Sequence, residues 1–106
     1  MNEKPAIAEI VDLLSKKWVM RIIWELRAGP LTFRQLQSAC NDLSPTVLNN
    51  RLKLLRDAQL ALNDPSRGYT LTDMGRDLLE VYKPLNQWAI AWQAAKNDTP
   101  ETRRPR

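Results

Sequence analysis

Apolar residues recur at helical spacing along most of this chain and alternate in one short stretch only. Ile7, Ile10, Val11 and Leu14 stand at i, i+3, i+4 and i+7, one face of a first helix over roughly residues 5 to 16. Trp18, Val19, Ile22, Ile23 and Leu26 continue the period in a second helix, which Gly29-Pro30 stops: glycine accepts a left-handed cap and proline cannot extend the helix. Thr32 and Gln35 then form a capping box, with Leu31 and Leu36 placed as a hydrophobic staple, and Phe33, Leu36 and Cys40 share a face. After Asn41-Asp-Leu43, Ser44 caps a longer helix with Pro45 in its first turn, Leu43 and Leu48 as a second staple, and an end near Asp57 or Ala58.

Beyond that point the pattern changes. Leu60-Ala-Leu-Asn63 and Tyr69-Thr-Leu71 read as strands, joined by the turn-forming Asp64-Pro-Ser-Arg-Gly68. Thr72 caps the next helix with Asp73 at its positive end. Met74, Leu78, Val81 and Tyr82 are expected on its core face, and Pro84 is expected to break or kink it. Leu85, Trp88, Ala89 and Trp92 carry a further helix to about Lys96, and residues 97–106, with two prolines and no apolar stripe, read as a disordered tail. The fold class is therefore mainly α (α+β): a winged helix-turn-helix over residues 1–96, with a short two-stranded hairpin as wing and helices at both ends.

The helix from 44 to 58 has two unlike faces. On a wheel of 100° per residue, Leu48, Leu52 and Leu55 gather on one side, while Thr46, Asn50, Lys53 and Asp57, flanked by Asn49, occupy the other. Asn can pair with adenine N6 and N7 in bidentate fashion, and a Thr methyl can touch the thymine methyl. Base contacts come mainly from the N-terminal part of a recognition helix, which makes Thr46, Asn49 and Asn50 candidate base readers, with Lys53 reading guanine or holding phosphate. Arg34, Arg51, Arg56 and Arg67 are candidates for phosphate contact, Arg67 from the hairpin tip. The plainer reading of each is a solvated polar face or an ordinary surface charge, and Arg51 could instead be tied into an internal salt bridge.

Composition narrows the choice. At 106 residues, 43% hydrophobic and 26% charged, the chain has the size and balance of one globular domain. The net charge of +4 and pI of about 9.6 favour a polyanionic partner. With one cysteine and no histidine, neither an internal disulfide, a conventional zinc site nor histidine-based catalysis can be built. No metal or cofactor is expected, and an enzyme is the least favoured class. No apolar run approaches the ~20 residues that span a bilayer, and Met1-Asn-Glu-Lys-Pro5 lacks the form of a signal peptide. The expected location is the cytoplasm, on the nucleoid when bound to DNA, with no membrane partner. Cys40, sharing a face with Phe33 and Leu36, reads as a buried structural thiol ahead of a redox sensor.

The first and last helices both carry apolar stripes that a small winged core cannot cover. Ile7, Ile10, Val11 and Leu14, with Leu85, Trp88 and Trp92, are therefore expected to meet across a two-fold homodimer interface.

Taken together, Lys17-Trp18, Ile22-Ile-Trp-Glu-Leu26, Gly29-Pro30 with Phe33 and Leu36, Leu43-Ser44, Leu48, Arg51-Leu52, Leu55, Leu60, Tyr69-Thr-Leu-Thr72 with Gly75, and Trp88-Ala89 resemble the HxlR family of bacterial winged-helix transcription regulators, itself similar in shape to MarR-type regulators. The resemblance implies a homodimer joined through terminal helices, an operator of two half-sites, a recognition helix over 45–58 and a wing around Gly68. Members often carry a cysteine before the first core helix, which some use to sense reactive species. This chain has none there, so thiol sensing does not carry over. Gln59 stands where the family has glycine, Thr32 and Gln35 where it commonly has a basic and an acidic residue, and the wing is several residues short.

The leading expectation is a dimeric, sequence-specific DNA-binding transcription regulator that acts on double-stranded operator DNA, with repression by blocking a promoter as its simplest action. The alternatives are a winged-helix module that binds protein, and a sensor whose small-molecule effector, of unknown identity, lies in an aromatic cavity between the dimer halves, near Trp88 and Trp92.

Overall fold

The computed structural model describes residues 4–98. Their order is α1 (Ala6–Leu14), α2 (Val19–Glu25) with a 3-10 turn at Leu26–Ala28, α3 (Phe33–Ala39), α4 (Pro45–Asp57), β1 (Ala61–Asp64), β2 (Gly68–Leu71) and α5 (Asp73–Asp98). This is a mainly helical winged helix-turn-helix with one two-stranded antiparallel sheet.

Local chemistry starts α3 and α4 as their sequences dictate. The Thr32 hydroxyl accepts from the Gln35 backbone N–H at 3.1 Å, and the Gln35 side chain accepts from the Thr32 N–H at 2.9 Å, closing the capping box. The Ser44 hydroxyl accepts from the Val47 N–H at 3.2 Å, with Pro45 in the first turn. Between the two helices Asn41 and Asp42 take φ of 61° and 57°. Asn and Asp are the non-glycine residues that tolerate this left-handed region best, so two in succession make the tight reversal without glycine. The Gln37 amide donates to the Leu43 carbonyl at 2.9 Å and fixes the reversal from within.

The core is apolar throughout. Val19, Ile22, Ile23, Leu26, Leu36, Cys40, Leu48, Leu52 and Leu55 have no accessible surface, and Leu60, Ala61, Leu71 and Leu79 close it on the hairpin and α5 sides. The stripe Leu48, Leu52 and Leu55 is thus the floor of α4, which turns its opposite side to solvent.

α4 ends in a Schellman motif. The Leu60 N–H bonds to the Leu55 carbonyl at 2.9 Å and the Gln59 N–H to the Arg56 carbonyl at 2.9 Å, with Gln59 at φ 63°. Gln59 therefore occupies the position that suits glycine, at a cost of about 1 kcal/mol in backbone strain. The strands pair Ala61 with Leu71 through to Asp64 with Gly68. An isolated bridge between Leu31 and Tyr69 ties the segment before α3 to the hairpin. Gly68, at φ 108°, makes that bridge: a Cβ there would lie 2.4 Å from the Leu31 carbonyl oxygen.

α5 departs from expectation in three ways. It runs unbroken from Asp73 to Asp98 with Pro84 inside it. Glu80, four residues earlier, and Pro84 are both exposed, so solvent can satisfy the carbonyl that Pro84 leaves without a donor. Its core stripe is Gly75, Leu78, Leu79 and Tyr82, while Met74 and Val81 are exposed at 65% and 67%. The helix also continues two residues past Lys96. The rest of the tail expected over 97–106 lies outside the described residues.

Candidate nucleic-acid interface

α4 stands on the core through its leucines and presents a polar outer face whose side chains have unequal freedom. Thr46, Asn49, Asn50, Lys53, Arg56 and Asp57 are exposed, and Arg51 is half-buried. Thr46 lies in the first turn, with Asn49 and Asn50 in the next, so the amide-bearing part of the helix is its N-terminal half. That half is the part a helix-turn-helix brings to base edges.

Lys53 and Asp57 form an i,i+4 ion pair at 2.9 Å, both well exposed. An exposed pair of this kind contributes little to stability. Its consequence here is local neutralisation: Asp57 offsets the Lys53 charge on the outer face of α4. Arg34 in the first turn of α3, Arg56 near the end of α4 and Arg67 in the hairpin turn are all exposed.

Arg51 has a different setting from that of a free phosphate ligand. Its Nε donates to the Lys17 carbonyl at 2.7 Å, across 34 residues of sequence, and its Nη1 donates to the Asn50 side-chain oxygen. The expected alternative, an internal salt bridge, has the right location and the wrong partners: the acceptors are a backbone carbonyl and a carboxamide. Nothing in the local sequence around Arg51 announces the Lys17 contact, because only the tertiary fold brings the α1–α2 turn beside α4.

The hairpin tip is held by Asp64, whose carboxylate accepts from the Ser66 N–H and hydroxyl, each at 2.9 Å. The backbone and side-chain hydrogen bonds from Ser66 hold the Asp64 carboxyl below the usual range.

Ile7 and Val11 on α1 and Leu85, Trp88 and Trp92 on α5 are exposed at 70%, 53%, 59%, 61% and 49%. Trp88 and Trp92 stack with centroids 6.0 Å apart, and the Lys96 ammonium lies 4.6 Å from the Trp92 ring centre. Ile10 and Leu14 behave differently from the rest of the expected interface set: they are half-buried against the protomer's own core. Ile10 also lines the cleft shared with the end of α4, and Ile7 and Val11 remain as the outward pair.

Two clefts flank the core. One, of about 440 Å³, lies between α1 and the end of α4; the other, of about 370 Å³, is lined by Met20, Arg21, Trp24, Tyr82 and Asn86. Among the described residues no cluster of histidine, cysteine or carboxylate groups could hold a metal ion, and no helix is long and apolar enough to cross a membrane.

A family model described as HxlR-like helix-turn-helix matches residues 13–97. The HTH-type transcriptional regulator YvaP of Bacillus subtilis is 35% identical over 94 residues, which cover 83% of this chain and 87% of that protein. Among solved structures, quinone-bound YodB of Bacillus subtilis superposes with a TM-score of 0.77 at 29% identity, covering 84% of this chain and 99% of that one. A MarR family regulator from Porphyromonas gingivalis, at 19% identity, shares the fold with a TM-score of 0.67 over 85% of this chain and 94% of its own.

Proposed function

The chain belongs to the HxlR-like helix-turn-helix family, and we propose that it is a homodimeric regulator of transcription that reads operator DNA with the outer face of α4. The observation that carries this reading is the division of α4 into a fully buried leucine stripe and an exposed face bearing Thr46, Asn49, Asn50 and Lys53. Arg34, Arg56 and Arg67 are the phosphate ligands in this account, fixing register without specifying sequence. The exposed apolar residues Ile7 and Val11 on α1 and Leu85, Trp88 and Trp92 on α5 support a two-fold interface, since large apolar side chains left open in one protomer cost least when a second copy covers them. The simplest regulatory action is occlusion of a promoter.

Asn50→Ala is expected to cost roughly 1–3 kcal/mol on the specific site and much less on random DNA. Fluorescence titration on both DNAs tests it: equal losses would remove Asn50 from base reading. The dimer has its own check, because a monomer seen by ultracentrifugation at micromolar concentration would contradict it.

Quinone is bound by YodB in its solved structure, but the thiol of this chain is poorly placed to meet such an effector. Cys40 is the chain's one cysteine. It has no accessible surface, and burial pushes its thiol pKa up, away from the reactive thiolate. A thiol-directed maleimide dye is therefore expected to label the native protein far more slowly than the urea-unfolded chain. Equal rates would mean that Cys40 is reachable and would reopen thiol sensing.

A further inference from the structure

We infer that Arg51 is a positioning residue that sets which base Asn50 accepts. This inference rests on the base-reading role of α4 proposed above. The Arg51 guanidinium is held at two points: Nε on the Lys17 carbonyl at 2.7 Å, and Nη1 on the Asn50 side-chain oxygen. Guanidinium nitrogens are donors only and cannot accept. The atom of the Asn50 carboxamide that meets Arg51 must therefore be its oxygen, which fixes the amide against a 180° flip.

That choice has a consequence for recognition. With the oxygen engaged by one lone pair, Asn50 keeps a second lone pair and two N–H donors in a fixed arrangement. A purine offers N7 to such a donor, and adenine adds an N6 amino group for the remaining lone pair. In that arrangement cytosine N4 would serve only the lone pair and leave the outward N–H unpaired, whereas a carboxamide released from Arg51 can present its oxygen alone and accept from cytosine N4 without that loss. Arg51 thus narrows the preference at one position of each half-site to a purine, adenine above all, without touching DNA.

The anchor itself is stiff. The peptide that supplies the Lys17 carbonyl leads directly into Trp18, whose backbone is left-handed at φ 80°. A bulky residue held there costs on the order of 1–3 kcal/mol and persists only where its surroundings impose it. Trp18 is partly buried against the core, and the Ile22 N–H closes onto its carbonyl at 2.9 Å. Arg51 therefore couples the base-facing amide to the α1–α2 junction rather than to its own helix alone.

The test compares wild type, Asn50→Ala, Arg51→Met and Arg51→Lys on DNA selected from a random library. The position whose base preference disappears in Asn50→Ala is the one Asn50 reads. At that position Arg51→Met is expected to lose about tenfold in discrimination and to admit cytosine. Its affinity for random DNA and its salt dependence should stay as in wild type. Arg51→Lys, whose single ammonium cannot hold both acceptors, should fall between. A loss that is uniform across sequences, with the salt slope reduced by about one per protomer, would make Arg51 a phosphate ligand and overturn the inference. So would an unchanged preference. The side-chain amide relaxation of Asn50 in unbound wild-type protein needs no variant: a rigid Asn50 beside a mobile Asn49 is expected, and equal mobility refutes the lock. If wild type selects no sequence while Asn50 is rigid, the base-reading proposal fails and the lock stands.

Discussion

Gly75→Ala should unfold this domain at temperatures where the wild type is fully native. A Cβ on Gly75 would lie 2.1 Å from the Leu60 carbonyl oxygen and 3.3 Å from the Leu71 Cβ. The first of these neighbours is backbone, so no rotamer change relieves the contact. The same carbonyl accepts from the Thr72 N–H at 3.1 Å, and the Thr72 hydroxyl caps α5 through the Gly75 N–H at 3.0 Å while donating to the Gln59 carbonyl at 2.7 Å. The start of α5 is thus fastened to the segment leaving α4, and the one atom added by the substitution must push them apart. A cost of about 3 kcal/mol or more is expected for overpacking that only backbone movement can relieve. For a domain of this size that corresponds to a fall in Tm of roughly 12 °C or more. A thermal melt checks it, and a shift of only a degree or two would show that α5 and β1 can separate cheaply. The Tyr69-Thr-Leu-Thr72 and Gly75 pattern is therefore a docking device for α5.

Raising salt from about 50 to about 200 mM should weaken operator binding by about a thousandfold or more, if the dimer neutralises roughly 6–10 phosphates. In the proposed reading the exposed Arg34, Arg56 and Arg67 of each protomer would supply most of that number, while Lys53 is paired with Asp57 at 2.9 Å. The same account therefore predicts that Asp57→Asn tightens binding to any DNA and steepens the dependence on salt, because Lys53 is freed to displace a counterion. Titrations at several salt concentrations give both slopes. A shallow wild-type slope, or no change in Asp57→Asn, would place the basic residues of α4 away from phosphate.

What the sequence made legible was local chemistry. The capping box at Thr32 and Gln35, the Ser44-Pro45 start and the leucine spacing of α4 each follow from interactions within four residues, and each is where the pattern placed it. The family resemblance, carried by motifs spread from Lys17 to Ala89, agrees with the match over residues 13–97. Features set by contacts distant in sequence were not legible. Arg51 reads locally as a surface cation, yet the carbonyl it bonds belongs to Lys17. Met74 and Val81 share a helical stripe with Leu78, but docking through Gly75 rotates α5 so that Leu79 faces inward instead. Pro84 carries a strong local signal for a break, and the exposed turn around it lowers the penalty by leaving the Glu80 carbonyl open to water. Ile10 and Leu14 belong to an apolar face that the core of the protomer partly claims, leaving Ile7 and Val11 to the surface.

The unequal freedom of the side chains on α4 bears on how such a regulator discriminates. Lys53 is checked by its neighbour Asp57, and Asn50 is fixed by Arg51, whereas Thr46 and Asn49 stand exposed in the N-terminal half. If this face reads DNA as proposed, it loses less side-chain entropy at its constrained positions on binding, which raises affinity for the sequence it fits.

In vitro selection of bound DNA from a random library, at near-physiological salt, tests the central claim most directly. Enrichment of an inverted repeat, with half-sites spaced to put two α4 helices on one side of the duplex, is the predicted result. No enriched sequence, with binding that fades uniformly as salt rises, would contradict it and turn the account toward a winged-helix module whose partner is a protein.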